Sequence, residues 1–355
     1  MGMTKSKEVS IVLDGKKAQI PAGITVKKAL EISGYKVTTY PAKDALFAPC
    51  ETGGCWSCAV EINNELKPAC VAPVKMGQKI NTKRSHDYVP KRIVHGFSGH
   101  TVGGVGTPYW FKGRHEYIEV ACFAAGCNLR CLQCQNWETT FTGKGHPMTP
   151  EEAAELMTAT RRKFKVDRMA ISGGESTLNR RWLVDYVKVL KRLNPDHNAR
   201  IHVDTNTTIL TRGYIDELVQ AGMTDIGPDL KGYYPETFMR ITSIKDKGLA
   251  VRYLNTAWGS VQYLIERYKE SVFTGVGIPY NKELIKPEEI GMIGEKLYEI
   301  DPEIQVCVLD YRPEYNRVNL VRPSFGEMVE IQKILTTKGL KTVICQTEYG
   351  HIGPE

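Results

Sequence analysis

Residues 8–20, EVSIVLDGKKAQI, alternate apolar and polar positions on either side of Asp14-Gly15, a pattern that predicts a β-hairpin with a tight turn. Residues 24–32 place Val26, Ala29, Leu30 and Ile32 near one helical face, with Gly34 as the stop. VEINNELKPACVAPV reads as strand on both sides of Asn63-Asn64, so a small β-rich module is expected over residues 1–82. Residues 83–114 are glycine-rich with little periodicity and are expected to form a linker or covering segment. Over residues 115–355 the rhythm changes. Strand-like runs at 116–122, 167–172, 200–205, 224–229, 272–278, 304–309 and 341–345 alternate with helix-like runs at 150–164, 180–193, 212–221, 249–268, 286–299 and 324–337. That alternation predicts an α/β fold with a parallel sheet, and six or seven units suit a partial (β/α)6-type barrel better than a closed eight-fold one.

Composition adds little: 355 residues, 42% apolar and 25% charged, describe an ordinary globular chain and exclude collagenous or disordered classes. No run of 18 apolar residues occurs, and the opening MGMTKSKEVS lacks the apolar region of a secretory signal. No membrane span and a cytoplasmic location are therefore expected. The Met1-Gly2 opening is set aside, because Lys5 interrupts a myristoylation pattern. The formal charge of +7 is scattered rather than striped, which argues against a nucleic-acid partner. Cysteine changes the picture: eight of the ten lie between Cys50 and Cys134, in two tight sets, and in a cytosolic chain such sets read as metal ligands before disulfides.

The first set is Cys50, Cys55, Cys58 and, eleven residues on, Cys70. C-x4-C-x2-C with a distant fourth cysteine is the plant-type [2Fe–2S] spacing. Gly53 and Gly54 suit a loop that wraps a cluster closely. A zinc knuckle is the alternative, although structural zinc more often uses two paired knuckles. Hairpin, helix and cluster loop in this order resemble the β-grasp ferredoxin domain, and the eleven-residue gap resembles the iron–sulfur subunit of succinate dehydrogenase.

The second set, Cys127, Cys131 and Cys134, follows the first strand of the α/β region as C-x3-C-x2-C. Three thiolates hold a cubane and leave one iron open to a reactant. CNLRCLQCQNWE resembles the radical SAM superfamily, in its branch around pyruvate formate-lyase activating enzyme. SGGEST (172–177), VDTNTT (203–208) and DIGPDLKG (225–232), at the ends of the next three strands, resemble further motifs of that family. The resemblance implies a [4Fe–4S] cluster on Cys127, Cys131 and Cys134 that binds S-adenosylmethionine (SAM). It also implies contacts to SAM from Gly173, Gly174, Glu175, Ser176, Asp204 and Asn206, with Glu175 accepting from the amino group. Gln133 stands where the family carries an aromatic residue near adenine, so Trp137 becomes the candidate for that packing. Thr207 stands where glycine is common.

Asp310, Tyr311, Arg312 and Tyr315 leave the sixth strand on the catalytic face and are substrate-contact candidates, with a salt-bridged rim loop as the alternative. Cys122, Cys307 and Cys345 read as buried small hydrophobes, and His95, His100, His115 and His146 are assigned no role. The resemblance implies reductive cleavage of SAM to a 5′-deoxyadenosyl radical that abstracts hydrogen, with the two-iron cluster as an electron inlet fed by a low-potential donor of ferredoxin or flavodoxin type. Three readings of the reaction follow. Glycyl-radical activation or modification of a protein or peptide leads. Chemistry on a small metabolite is second and includes cobalamin-assisted methylation, although no cobalamin domain is evident. A non-enzymatic electron carrier is third, and the GGE segment argues against it.

Overall fold

The protein is described by a computed structural model covering residues 8–84, 87–112 and 116–354. The Met1-Gly2 opening and His115 lie outside the described residues. In the N-terminal unit, Glu8–Leu13 and Lys16–Pro21 pair antiparallel across Asp14-Gly15, both at positive φ (45° and 82°), as a two-residue turn of that hand requires. Ala59–Ile62 and Glu65–Pro68 repeat the device at Asn63-Asn64. Lys79–Asn81 inserts between the hairpins, parallel to the first strand, and completes a five-stranded sheet. The helix Val26–Ile32 covers it and buries Val26, Ala29 and Leu30, whereas Ile32 is exposed.

Seven parallel strands form the second unit, in chain order: Glu119–Ala124, Arg168–Gly173, Arg200–Thr205, Asp225–Pro228, Phe273–Tyr280, Gln305–Asp310 and Thr342–Thr347. Val120, Ile171, Val203, Ile226, Val276, Val306 and Val343 are all essentially inaccessible, as expected of strands covered on both faces. Six crossover helices connect them: Pro150–Phe164, Arg180–Leu193, Arg212–Ala221, Lys247–Tyr268, Pro287–Ile300 and Phe325–Thr337. Thr149 and Ser324 open the first and last of these with reciprocal bonds to Glu152 and Glu327. The result is the expected α/β partial barrel preceded by a small sheet domain. Among the described residues, no helix is long and apolar enough to cross a membrane.

The segment between the units is more ordered than its composition suggested. Arg92–His100 is a nine-residue strand, antiparallel to the first barrel strand, with an irregularity between His95 and Ser98. The chain then turns into the barrel. Gly104 N–H and Thr107 Oγ1 donate to the buried Glu119 carboxylate (3.0 and 2.8 Å). A Cβ at Gly104 would lie 2.4 Å from Asp204 Oδ2, so only glycine passes there. Val105, held at this depth, becomes the floor of the cleft described next.

Candidate active site

A cleft of about 190 Å³ opens at the C-terminal ends of the parallel strands, where this architecture places its chemistry. Cys127, Cys131 and Cys134 line it together with Gly173, Gly174, Asp204 and Asn206. The glycine pair fits tightly: a Cβ at Gly174 would meet the Gly126 carbonyl oxygen at 2.4 Å, so the second strand's end presses directly on the cysteine loop. Gly174 N–H donates to the Ala124 carbonyl and Glu175 N–H to that of Gly126 (both 2.8 Å). Asn206 Nδ2 donates to Asn128 Oδ1 (3.0 Å) and lies 3.5 Å from Cys127 Sγ.

Burial pushes all three thiols up, Cys131 to about 11, and the Lys231 ammonium pulls Cys131 and Cys134 back. Cys127 is buried and Cys131 and Cys134 are half-buried at the cleft wall; three such thiols without a full complement of cationic partners suit a metal centre, whose positive charge stabilises thiolates. Among the described residues, no three His, Cys, Asp or Glu side chains converge on a single ion. A polynuclear cluster does not require that, because each thiolate binds its own iron.

Glu175 and Ser176 do not line the cleft. Glu175 is buried, and Oε1 accepts from Thr177 N (3.0 Å), Thr177 Oγ1 (2.5 Å) and Thr205 Oγ1 (2.6 Å), while Oε2 accepts from Asn206 N (2.6 Å). Its carboxylate holds the Thr205-Asn206 segment. Ser176 Oγ donates to the Asp204 carbonyl (2.5 Å), and Arg92 donates to the Ser176 and Glu175 carbonyls. Asp204 itself is set by His202, whose Nε2 lies 2.9 Å from Asp204 Oδ1 and whose other face meets Glu119. Thr207 adopts φ 66°, a conformation that glycine takes without strain and a β-branched residue does not.

Of the loop candidates, only Tyr311 lines the cleft. Asp310 is buried and paired with Arg322 (2.6 Å), which follows the salt-bridged alternative. Arg312 is half-buried outside the cleft and acts on Asp310 by its charge. Tyr315, at φ 50°, is sandwiched between Trp137 (5.3 Å) and Phe141 (5.1 Å). Trp137 donates to Glu314 (3.1 Å) and belongs to this stack; the aromatic residues at the cleft wall are Phe141 and Tyr311. Gln133 points elsewhere, donating to the Ile241 carbonyl (2.8 Å) and accepting from Arg317 (3.1 Å). Sequence reasoning did not single out Lys231, which lines the cleft and donates to Asp229 (2.8 Å) and Tyr311 (3.0 Å). Its signal was the DLK segment, quoted for its place at a strand end but not read for its side chains.

In the other cysteine set, Cys50, Cys55, Cys58 and Cys70 are all buried, with Cys50 and Cys55 sulfurs 3.1 Å apart. Ser57 Oγ approaches Cys55 Sγ at 3.3 Å and donates to the Leu178 carbonyl of the barrel (2.8 Å). Four mutually close thiols, of which burial and the neighbouring sulfurs push Cys55 and Cys70 up, form a donor set that fits a two-iron cluster. Cys122, Cys307 and Cys345 are buried within strands, as expected of small hydrophobes.

The fold is a partial β/α barrel preceded by a small sheet domain, and each unit carries a cysteine donor set that fits an iron–sulfur cluster. Residues 122–286 match the radical SAM superfamily, and residues 6–85 match the 2Fe-2S iron-sulfur cluster binding domain. Residues 122–286 are therefore a radical SAM domain and residues 6–85 a ferredoxin-type domain, and the cofactors of these domains are a [4Fe–4S] cluster with SAM and a [2Fe–2S] cluster. The chain is similar to a probable GTP 3′,8-cyclase of Methanocaldococcus jannaschii, 30% identical over 120 residues, which are 34% of this chain and 38% of that protein. A probable GTP 3′,8-cyclase of Thermoplasma volcanium is 27% identical over 132 residues, 37% of this chain and 38% of that one. The chain thus spans about 38% of the length of these curated relatives. Among solved structures, SuiB of Streptococcus suis has a TM-score of 0.49 at 14% identity, covering 65% of this chain and 49% of that chain. The finer resemblance to the pyruvate formate-lyase activating branch is not carried by these matches.

Proposed function

We propose that Cys127, Cys131 and Cys134 hold the four-iron cluster, that Cys50, Cys55, Cys58 and Cys70 hold the two-iron cluster, and that the enzyme acts on a small polar molecule. Bound there, the cluster and SAM would supply one-electron reductive cleavage of SAM and, through it, hydrogen-atom abstraction from the substrate. The chain's own residues orient and enclose. Gly173 and Gly174 let backbone approach SAM, Asp204 and Asn206 face it across the cleft, and Phe141 offers an aromatic wall.

One observation carries the substrate reading: residues 311–317, which begin at the cleft-lining Tyr311, are pinned to the cysteine loop and the short helix after it. Asn316 N–H donates to the Leu132 carbonyl (2.9 Å), Arg317 to Gln133, and Trp137 to Glu314, with Tyr315 locked in its stack. A cleft flanked by a fixed loop, with Lys231, Asp229 and Tyr311 on its wall, suits a metabolite-sized polar substrate better than the protein or peptide expected from sequence. The small-molecule chemistry named for the archaeal relatives supports the same choice. The test is anaerobic 5′-deoxyadenosine formation by reconstituted enzyme with dithionite, supplied with size-fractionated cell extract. Stimulation by the low-mass fraction is expected. Stimulation confined to the macromolecular fraction would overturn the substrate reading.

A further inference from the structure

The two cysteine loops, seventy-odd residues apart in sequence, meet face to face. Gly126, immediately before Cys127, has no side chain because a Cβ there would lie 3.0 Å from Cys50 Cβ and from Cys55 N. Gly54 answers it from the other side: a Cβ there would lie 2.7 Å from Ala125 Cβ. Gly54 is therefore required for this close approach between the units. Arg130 reaches across the contact between the cysteine loops. Arg130 Nη1 donates to the Cys127 carbonyl (2.7 Å), and Nη2 donates to the Cys50 carbonyl (2.9 Å) and approaches Glu51 at 4.0 Å. Ser57 and Asn179 close the far edge, the latter donating to the Cys55 carbonyl (3.1 Å).

We infer that Arg130 is a positioning residue that joins a ligand residue of each cluster into one electron-transfer unit, its guanidinium forming the hydrogen-bonded bridge from the Cys50 backbone to the Cys127 backbone. This rests on the reading that both clusters are present on those cysteines. Arginine suits the role, since its planar fork spans two acceptors that a lysine ammonium, a single point, serves less well. The step is a one-electron transfer: the reduced two-iron cluster is oxidised, the four-iron cluster is reduced, and no bond is made or broken. The electron enters from a low-potential one-electron donor protein or, in the test, from photoreduced deazaflavin.

The experiment is flash photoreduction of full-length reconstituted enzyme, followed by freeze-quench EPR and iron analysis, on wild type, Arg130→Met and Arg130→Lys. Wild type is expected to pass the electron from the two-iron to the four-iron signal. Arg130→Met is expected to keep iron for both clusters and accumulate the reduced two-iron signal, and Arg130→Lys to recover the transfer in part. Transfer at the wild-type rate in Arg130→Met would overturn the inference. Loss of either cluster from Arg130→Lys would overturn it too, by assigning Arg130 to cluster retention. Absence of two signals in wild type would instead defeat the reading of the clusters themselves.

Discussion

Substitution of Glu175 separates two roles for the same carboxylate. As a ligand, its loss weakens SAM binding alone; as the scaffold seen here, its loss costs stability first. Glu175→Ala strands four donors, two of which, the Thr177 and Asn206 backbone N–H groups, cannot rotate to find other partners. A buried donor left unpaired costs about 1–3 kcal/mol, so two cost roughly 4 kcal/mol. Relief of burying a carboxylate, whose own pKa is raised by desolvation, returns part, leaving a loss of roughly 3 kcal/mol. Glu175→Gln keeps the shape and one oxygen but turns an amide N–H₂ on at least one donor, for roughly 1–2 kcal/mol. Anaerobic urea unfolding and equilibrium SAM binding should be run on both. The expected result is stability falling from wild type to Gln to Ala, with SAM affinity falling in the same order because Asn206 moves. Wild-type stability in Glu175→Gln with strongly weakened SAM binding would refute the scaffold reasoning.

Glu119 and His202 predict a pH dependence. Despite the cost of burying His202, Asp204 and Glu119 raise it to about 9 from 6.5, and the His202 contact helps hold Glu119 down to about 2 despite its own burial. The histidine contribution is therefore complete below about pH 6.5 and is lost as pH rises through about 9, by up to about 3 kcal/mol. The Glu119 contribution is complete above about pH 4.5 and is lost as pH falls towards 2. Unfolding at pH 6.5 and 9 should show the fall in wild type and not in His202→Gln; equal slopes would remove the ion pair from the account. Thr207→Gly should stabilise the enzyme by roughly 1 kcal/mol through relief of its left-handed backbone, and a lower melting temperature would contradict that. Cys55→Ala should retain SAM cleavage driven by dithionite yet lose cleavage driven by a ferredoxin or flavodoxin; equal loss with both reductants would make the N-terminal cluster structural.

The barrel was legible because each parallel strand is covered on both faces and each crossover helix on one, which writes two different periods into the chain. Helix bounds at 150–164, 180–193 and 212–221 follow directly. The turns at Asp14-Gly15 and Asn63-Asn64 were legible because their residue types tolerate the backbone they adopt. The strand Arg92–His100 was not, since Gly96 at φ 70° and the break after His95 interrupt its alternation. Nor was the path through the barrel interior, where the need for glycine at 104 arises from Asp204, a hundred residues away. The cysteine spacings announced donor sets. They could not show that the two loops touch or that Arg130 spans them, because both depend on how the small sheet domain docks on the barrel, nor that Glu175 faces inward, which depends on the end of the neighbouring strand at Thr205-Asn206.

Anaerobic EPR with iron and sulfide analysis, with and without SAM, followed by assay for 5′-deoxyadenosine, tests the central claim most directly. The account predicts two distinct reduced signals, perturbation of the four-iron signal by SAM, and 5′-deoxyadenosine, with Cys131→Ala removing the four-iron signal alone and cleavage with it. Fully reconstituted protein with a single two-iron signal that SAM leaves unchanged, and no 5′-deoxyadenosine, would contradict it.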